Sequence, residues 1–188
     1  MSWGLVQAIA SVTVRIVAGT AKGRKLHAPA EGGVRPTSDR VREAMFDVLI
    51  SMGVVDGAGV ADLFAGTGAL GIEALSRGAT SAVLVDHDRA ALDAININLV
   101  TTGLYARAAV VNADVLMWLT TAGSFDLAFI DPPYAFAGWQ ELLTRLDAGL
   151  MVAESDREID VGDGWKVLKS KHYGGTVVTM AEIARSRT

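Results

Sequence analysis

The sequence predicts a Rossmann-like α/β fold. Its sheet has seven mostly parallel strands covered by helices on both faces; an antiparallel hairpin ends it, and a short β-hairpin and helix precede it. Three observations predict this. From Gly59 onward, short apolar, β-branched runs alternate with segments of helical period, as in a parallel sheet buried on both faces. A glycine loop, Gly66-Thr67-Gly68-Ala69-Leu70-Gly71, joins the first of these runs to the helix that follows. After Trp165 the period falls to two on either side of Tyr173-Gly174-Gly175, the signature of a hairpin.

Taken in order, residues 1–13 are an apolar extension expected to be disordered. Residues 14–52 form a basic hairpin and helix, and residues 53–188 form the sheet domain. Val14–Ala18 and Arg24–Ala28 read as two short strands around a glycine-bounded turn. Glu31-Gly32-Gly33 is a flexible joint and Pro36 stiffens the step after it. Thr37 or Ser38 can cap a helix reaching about Met52, with Val41, Met45, Val48 and Leu49 at helical spacing. The alternating part then predicts strands at Gly59–Leu63, Ala82–Val85, Ala108–Val111, Asp126–Ile130 and Leu150–Ala153. Helices fall between them at Ala69–Arg77, Arg89–Thr101, Val115–Thr121 and Trp139–Asp147, and Trp165–Lys171 with Thr176–Glu182 make the closing hairpin.

Composition removes several classes of function. The chain has 188 residues, 51% hydrophobic and 20% charged, so it is neither disordered nor fibrous and can bury a sizeable core in one domain. Without cysteine there is no disulfide, zinc–thiolate site, iron–sulfur cluster or cysteine nucleophile. The apolar start lacks the basic region of a signal peptide, and no stretch approaches 18 uncharged apolar residues, so a cytoplasmic protein is expected. The net charge of −4 is unevenly spread. Residues 1–42 carry seven basic and two acidic side chains, a net of +5, whereas the remainder carries ten and nineteen, a net of −9. A basic arm on an acidic body is the footprint of a local polyanion contact.

The chemistry is read from strand tips. Asp131-Pro132-Pro133-Tyr134 follows the apolar run Leu127–Ile130 and offers a carboxylate, carbonyls held rigid by proline, and a ring that can stack on a base. This arrangement can accept hydrogen bonds from an exocyclic amine, as methylation of a nucleobase nitrogen requires. Gly66-x-Gly68-x-x-Gly71 satisfies the dinucleotide fingerprint, but Asp62 stands at the tip of the preceding strand, where it would repel a pyrophosphate. S-adenosylmethionine (SAM) carries an ammonium and a sulfonium instead, and both favour that carboxylate. Asp86, at the end of the second core strand, can take the ribose hydroxyls, and Asp114 after the third can accept from the adenine amino group. The alternative for Asp88 and Asp114 is to cap the helices they precede. Phe64, within the loop, and His87, beside the ribose acid, complete the expected cofactor contacts. No metal-ligand cluster is visible, and the histidines do not read as catalytic.

At this point the chain resembles a known family. Arg15-Ile16-Val17-Ala18-Gly19, Gly23-Arg24-Lys25-Leu26 and Arg35-Pro36-Thr37-x-Asp39-Arg40-Val41-Arg42-Glu43 are similar to the small-subunit ribosomal RNA methyltransferase D family. So are the run Asp62 to Ala79 and Asp131-Pro132-Pro133-Tyr134. The resemblance covers roughly Val14 to Ala184. It implies a class I SAM-dependent methyltransferase fold and transfer of a methyl group to the exocyclic N2 of one guanine in bacterial 16S rRNA, with the 30S subunit as partner. The resemblance departs in the first dozen residues, which have no counterpart, and at Asp86, where many relatives carry glutamate. The Arg35–Arg42 block can address either the cofactor's carboxylate or RNA phosphates. Arg35 and Thr37 are expected at the cofactor, and Lys22, Arg24, Lys25, Arg40 and Arg42 at RNA. Competing readings are an adenine-N6 or other amino-methyltransferase acting on DNA or on another RNA, an NAD- or nucleotide-sugar-dependent enzyme, and a non-catalytic RNA-binding module. The first lacks room for a target-recognition domain, Asp62 disfavours the second, and the intact transfer motif disfavours the third.

Overall fold

The computed structural model describes residues 14–28 and 39–184. The expectations for residues 1–13, for the glycine joint, and for Arg35, Thr37 and the helix cap at Thr37 or Ser38 lie outside the described residues. After the N-terminal hairpin come α1 (Asp39–Ser51), β1 (Gly59–Leu63), α2 (Ala69–Ser76), β2 (Ser81–Asp86) and α3 (Arg89–Thr102). A 3₁₀ turn (Tyr105–Arg107) leads to β3 (Ala108–Asn112), α4 (Val115–Trp118), β4 (Phe125–Ile130), α5 (Trp139–Arg145), β5 (Ala148–Ser155), β6 (Trp165–Tyr173) and β7 (Thr176–Ile183). The strands form one seven-stranded sheet in the order β3-β2-β1-β4-β5-β7-β6. β1 to β5 are parallel, and β7 pairs antiparallel with both β5 and β6. The strand order reverses between β1 and β4, which opens a crevice at their carboxyl ends.

Two cores, one on each face, hold the sheet. On the first, Val60, Leu84, Phe129 and Val152 pack against α1, α2, α3 and the N-terminal hairpin through Phe46, Ile72, Ile95 and Ile16, all fully or almost fully buried. The Phe46 ring lies 5.4 Å from that of Phe129. On the second face Ala61, Leu63, Ile130 and Met151 pack against α4 and α5. Among the described residues, no helix is long and apolar enough to cross a membrane.

The hairpin at residues 14–28 is tighter than two expected strands. Its ladder is a single antiparallel bridge, Arg15 to Lys25, with Ile16 and Leu26 donating across to Arg24 and Val14. Pairing stops there because the N–H groups of Val17 and Ala18 donate to the Glu73 carboxylate, at 2.8 and 3.0 Å. Ser76 then donates to the Ala18 carbonyl and accepts from the Ala21 N–H, while the Thr20 N–H reaches the Ser76 carbonyl. Gly19 enters this turn at φ 80°, and a Cβ there would lie 1.9 Å from the Ser76 oxygen, so no other residue fits.

In α1 the buried positions are Arg42, Met45, Phe46 and Leu49. This corrects the expected stripe. Val41 and Val48 flank the inward face, whereas Arg42 lies on it at the i, i+3, i+4, i+7 spacing. Arg42 is only 1% exposed and donates to the Arg15 carbonyl and to Asp39, with Glu73 3.7 Å from its Nε. Arg42 therefore does not reach RNA; it is a buried brace between the hairpin, α1 and α2.

Candidate active site

The strands around the switch point carry acids at or next to their carboxyl ends. Alternate residues of a strand share a face, so Asp62 continues the face of Val60, Asp86 that of Leu84, and Glu154 that of Val152. Asp131 follows β4 by one residue and continues the face of Phe129. All four carboxylates thus come to one rim, above the first core. The loop behind them is closed by those same acids. Asp62 accepts from the Gly71 N–H at 2.8 Å, and Asp86 accepts from Gly66 at 2.8 Å and from Asp88 at 2.9 Å. Gly66 and Gly68 take φ of 56° and 75°, the left-handed region that favours glycine. A Cβ on Gly71 would come within 3.0 Å of the Asp62 carboxylate, so the third glycine brings α2 against that acid.

Electrostatics follow from this crowding. Burial raises the Asp62 carboxyl from 3.8 to about 7; the Gly71 N–H opposes the shift, and Asp86 and Glu154 add to it. Asp131 is pushed well above the ordinary carboxylate range, first by loss of water and then by Glu154 and Asp62. Asp62 and Asp131 thus resist ionisation beside two further acids, and a cationic ligand at the rim would restore their charged forms.

Phe64 is the one non-glycine residue at positive φ among those described, at 58°. A left-handed phenylalanine is strained by about 1 kcal/mol or more. Its ring packs edge-on against Phe136 at 5.1 Å, and Phe136 packs edge-on against Trp139 at 5.5 Å. The strained residue thus ties the glycine loop to the segment after Asp131. The Asp131 N–H adds to the tie by donating to the Leu63 carbonyl, and the Phe136 N–H closes a turn onto the Pro133 carbonyl. Pro132 is buried, while Pro133 and Tyr134 are exposed at the crevice mouth.

The remaining expected residues fall as follows. Asp114 caps α4 by accepting from the Met117 N–H, and Asp88 caps α3 through Ala91, so each takes the capping role weighed for it. Asp114 and His87 are both exposed on the loops beside β3 and β2. Lys22, Arg24, Lys25 and Arg40 are exposed. Sequence reasoning missed Glu154, Glu73, Asn98 and Phe136. Glu154 could have been found as an acid directly after an apolar strand, like Asp62 and Asp131; Glu73 is the one charged residue inside an otherwise apolar helix. Asn98 carried no such signal. It is fully buried, accepts from the His27 N–H, and donates to the carbonyls of His27 and Thr67, so it pins the hairpin to the glycine loop. A separate groove of about 420 Å³ at the far end of α2 is lined by Gly19, Ser76, Arg77 and Arg107. Its arginines are already engaged, Arg107 with the Ala79 and Leu75 carbonyls and Arg77 with Glu73, so it is not the reacting site. Among the described residues no group of three or more His, Asp or Glu side chains is arranged to hold a metal ion.

Strand order, glycine loop and acidic strand tips together define a Rossmann-like methyltransferase fold. Comparison with known proteins agrees. The family described as Conserved hypothetical protein 95 matches residues 14–182. A Bacillus subtilis protein named putative rRNA methyltransferase YlbH is 38% identical over 182 residues, 89% of this chain and 97% of its own. The Escherichia coli protein named ribosomal RNA small subunit methyltransferase D is 40% identical over 153 residues, 77% of this chain and 76% of its own. The solved structure titled putative methyltransferase yhhF from Escherichia coli superposes with a TM-score of 0.82 at 35% identity, over 93% of this chain and 99% of that one. The chain belongs to the ribosomal RNA small subunit methyltransferase D family.

Proposed function

We propose that the protein transfers a methyl group from SAM to the exocyclic N2 of a guanine in 16S rRNA, within assembled or assembling 30S subunits. The observation that carries this reading is the convergence of Asp62, Asp86 and Asp131-Pro132-Pro133-Tyr134 on one rim beside a glycine loop, in a chain of this family. The residues fit the cofactor: Gly66 and Gly68 would let its nucleoside approach the backbone, Asp86 would take the ribose hydroxyls, Asp62 would pair with the ammonium, and Phe64 and His87 would flank it. Asp114 could accept from the adenine amine through what its cap leaves open, and Arg35 with Thr37 would serve the cofactor, Arg35 at the methionine carboxylate. When bound, SAM supplies an electrophilic methyl group.

The chain's own residues do the rest by position and charge. The lone pair of guanine N2 is delocalised into its ring. Asp131 and the Pro132 carbonyl, accepting the two amine hydrogens, would make the nitrogen more pyramidal and aim its lone pair at the methyl. Tyr134 stacks on the extruded base and fixes its plane. Lys22, Arg24, Lys25 and Arg40 contact phosphates and set the register of the RNA.

The test is transfer of labelled methyl from SAM to 30S subunits, naked 16S rRNA and duplex DNA, followed by nucleoside analysis. N2-methylguanosine from an rRNA substrate is expected. N6-methyladenine from any substrate, or no transfer to RNA, would overturn the reading.

A further inference from the structure

Every lysine in the chain lies in one of two short segments. Lys22 and Lys25 are in the N-terminal hairpin, and Lys166, Lys169 and Lys171 are in β6. β6 is the outermost strand of the sheet and is exposed along most of its length. It carries three lysines, His172 and no acid, in a part of the chain where acids outnumber bases nineteen to ten. The register places all three lysines on one face. Lys166, Lys169 and Lys171 pair with Glu182, Met180 and Val178 across an irregularity between Val167 and Lys169. Met180 and Val178 belong to the first core, so the lysines share the face of α1, the hairpin and the acidic rim. Val178 also pairs with Glu154, which sets Lys171 level with the rim, two strand spacings or about 10 Å beyond β5.

The lysine stems lie over an apolar floor of Val48, Val178 and Met180, and the Lys171 ammonium sits 4.8 Å from the Tyr173 ring centre. The stems of Lys169 and Lys171 thus cover apolar surface while their ammonium groups stay at the exposed edge. Lys166 pairs with Glu182, but Lys169 makes no ion pair among the described residues. Charged side chains on an edge strand also guard against sheet-to-sheet pairing, yet any charge serves that end. Here all are basic, on the face of the site.

Resting on the proposed RNA substrate, we propose that this face of β6 is a second RNA contact. Lys169 and Lys171, with Lys166 behind them, hold phosphates of the same rRNA whose target base enters the crevice. The hairpin, which meets α1 at Arg42, and β6, whose lysine stems meet it at Val48, then hold the RNA together.

The double substitution Lys169→Gln/Lys171→Gln tests this in the full chain. Removing one lysine–phosphate pair lowers the log–log salt slope of binding by about 0.7–0.9. The slope for 30S subunits or 16S rRNA should fall by about 1.4–1.8, with KM for RNA raised about tenfold at 0.15 M salt. Meanwhile kcat, S-adenosylhomocysteine affinity and Tm should stay unchanged, and Lys169→Arg/Lys171→Arg should restore the slope. An unchanged slope and KM in the glutamine variant, with the wild type active on rRNA, would overturn the second contact alone. Aggregation of that variant at an unchanged slope would do the same and show the lysines guarding the edge. A wild type that neither binds nor methylates rRNA would instead sink the underlying substrate reading, and this contact with it.

Discussion

Replacing Asp62 by asparagine isolates the electrostatic strain held in the crevice. Burial lifts the Asp62 carboxyl from 3.8 to about 7, against the Gly71 N–H and with help from Asp86 and Glu154. Below pH 4 the group is neutral in the folded and unfolded chains alike. Between pH 4 and 7 the folded chain keeps a proton that the unfolded chain has lost. The stability linked to this proton is therefore complete below the unfolded value and is lost as pH rises through about 7. A shift of about three pH units corresponds to up to about 4 kcal/mol. Asparagine keeps an oxygen for the Gly71 N–H and cannot ionise. Without ligand, Asp62→Asn should thus match wild type near pH 4 and exceed it at pH 8, each kcal/mol adding about 2–4 °C to Tm in a chain of this size. Calorimetric scans from pH 4.5 to 8 read this directly. The same variant should bind SAM about tenfold more weakly or worse, because asparagine cannot supply a charge-assisted hydrogen bond to the ammonium. A difference in Tm that is constant across the pH range, or that shrinks as pH rises, would refute the argument.

Other substitutions probe the transfer motif, the buried brace and the hairpin seat. Asp131→Ala should abolish methyl transfer while S-adenosylhomocysteine affinity stays within a few-fold, and Tyr134→Ala should lose about 1–3 kcal/mol of base stacking that Tyr134→Phe retains; near-normal turnover by Asp131→Ala on 30S subunits would defeat the assignment. Arg42→Met should lower stability by about 3 kcal/mol yet leave the salt slope of RNA binding alone, whereas Lys22→Ala/Arg24→Ala/Lys25→Ala should flatten that slope at unchanged Tm; denaturant titration beside salt-dependent binding separates the two. Asn98→Ala leaves the His27 N–H and the His27 and Thr67 carbonyls without their partner, so it should lose about 3 kcal/mol of stability and weaken cofactor binding through the loosened loop; hydrogen exchange at His27 and Gly68 would report it.

Much of the architecture was legible because burial imposes a period. The β-branched runs gave five parallel strands, and the change of period after Trp165 gave the closing hairpin within a few residues at each end. Asp62, Asp86 and Asp131 were legible for the same reason, since a carboxylate that ends an apolar run has few places to go but the sheet's carboxyl edge; Glu154 obeys the same rule and was passed over. Reasoning from charge alone failed at Arg42. An arginine in a basic block suggests RNA, but this one shares the spacing of Met45, Phe46 and Leu49, and spacing decided where it went. Asn98 was illegible, and Glu73, though marked as the lone charge of its helix, hid its partners, because each serves backbone groups more than 50 residues away, Val17 and Ala18 for Glu73 and His27 for Asn98. Bonds to main-chain atoms leave no trace in the partner's side chain.

That same property gives the hairpin an unusual freedom. Beyond the buried side chains of Val14, Ile16, Ala21 and Leu26, its seat is made through the main chain at Val17, Ala18, Thr20, Ala21 and His27, gripped by Glu73, Ser76 and Asn98. The side chains at its tip, Lys22, Arg24 and Lys25, carry no part of that load. Provided Gly19 and Gly23 keep the turn's shape and Ala21 stays small and apolar, the exposed positions of the tip can be rewritten without unseating it. A transplanted tip of equal length should dock as the native one does, so what this family's arm touches can diverge between relatives while the enzyme beneath it stays the same.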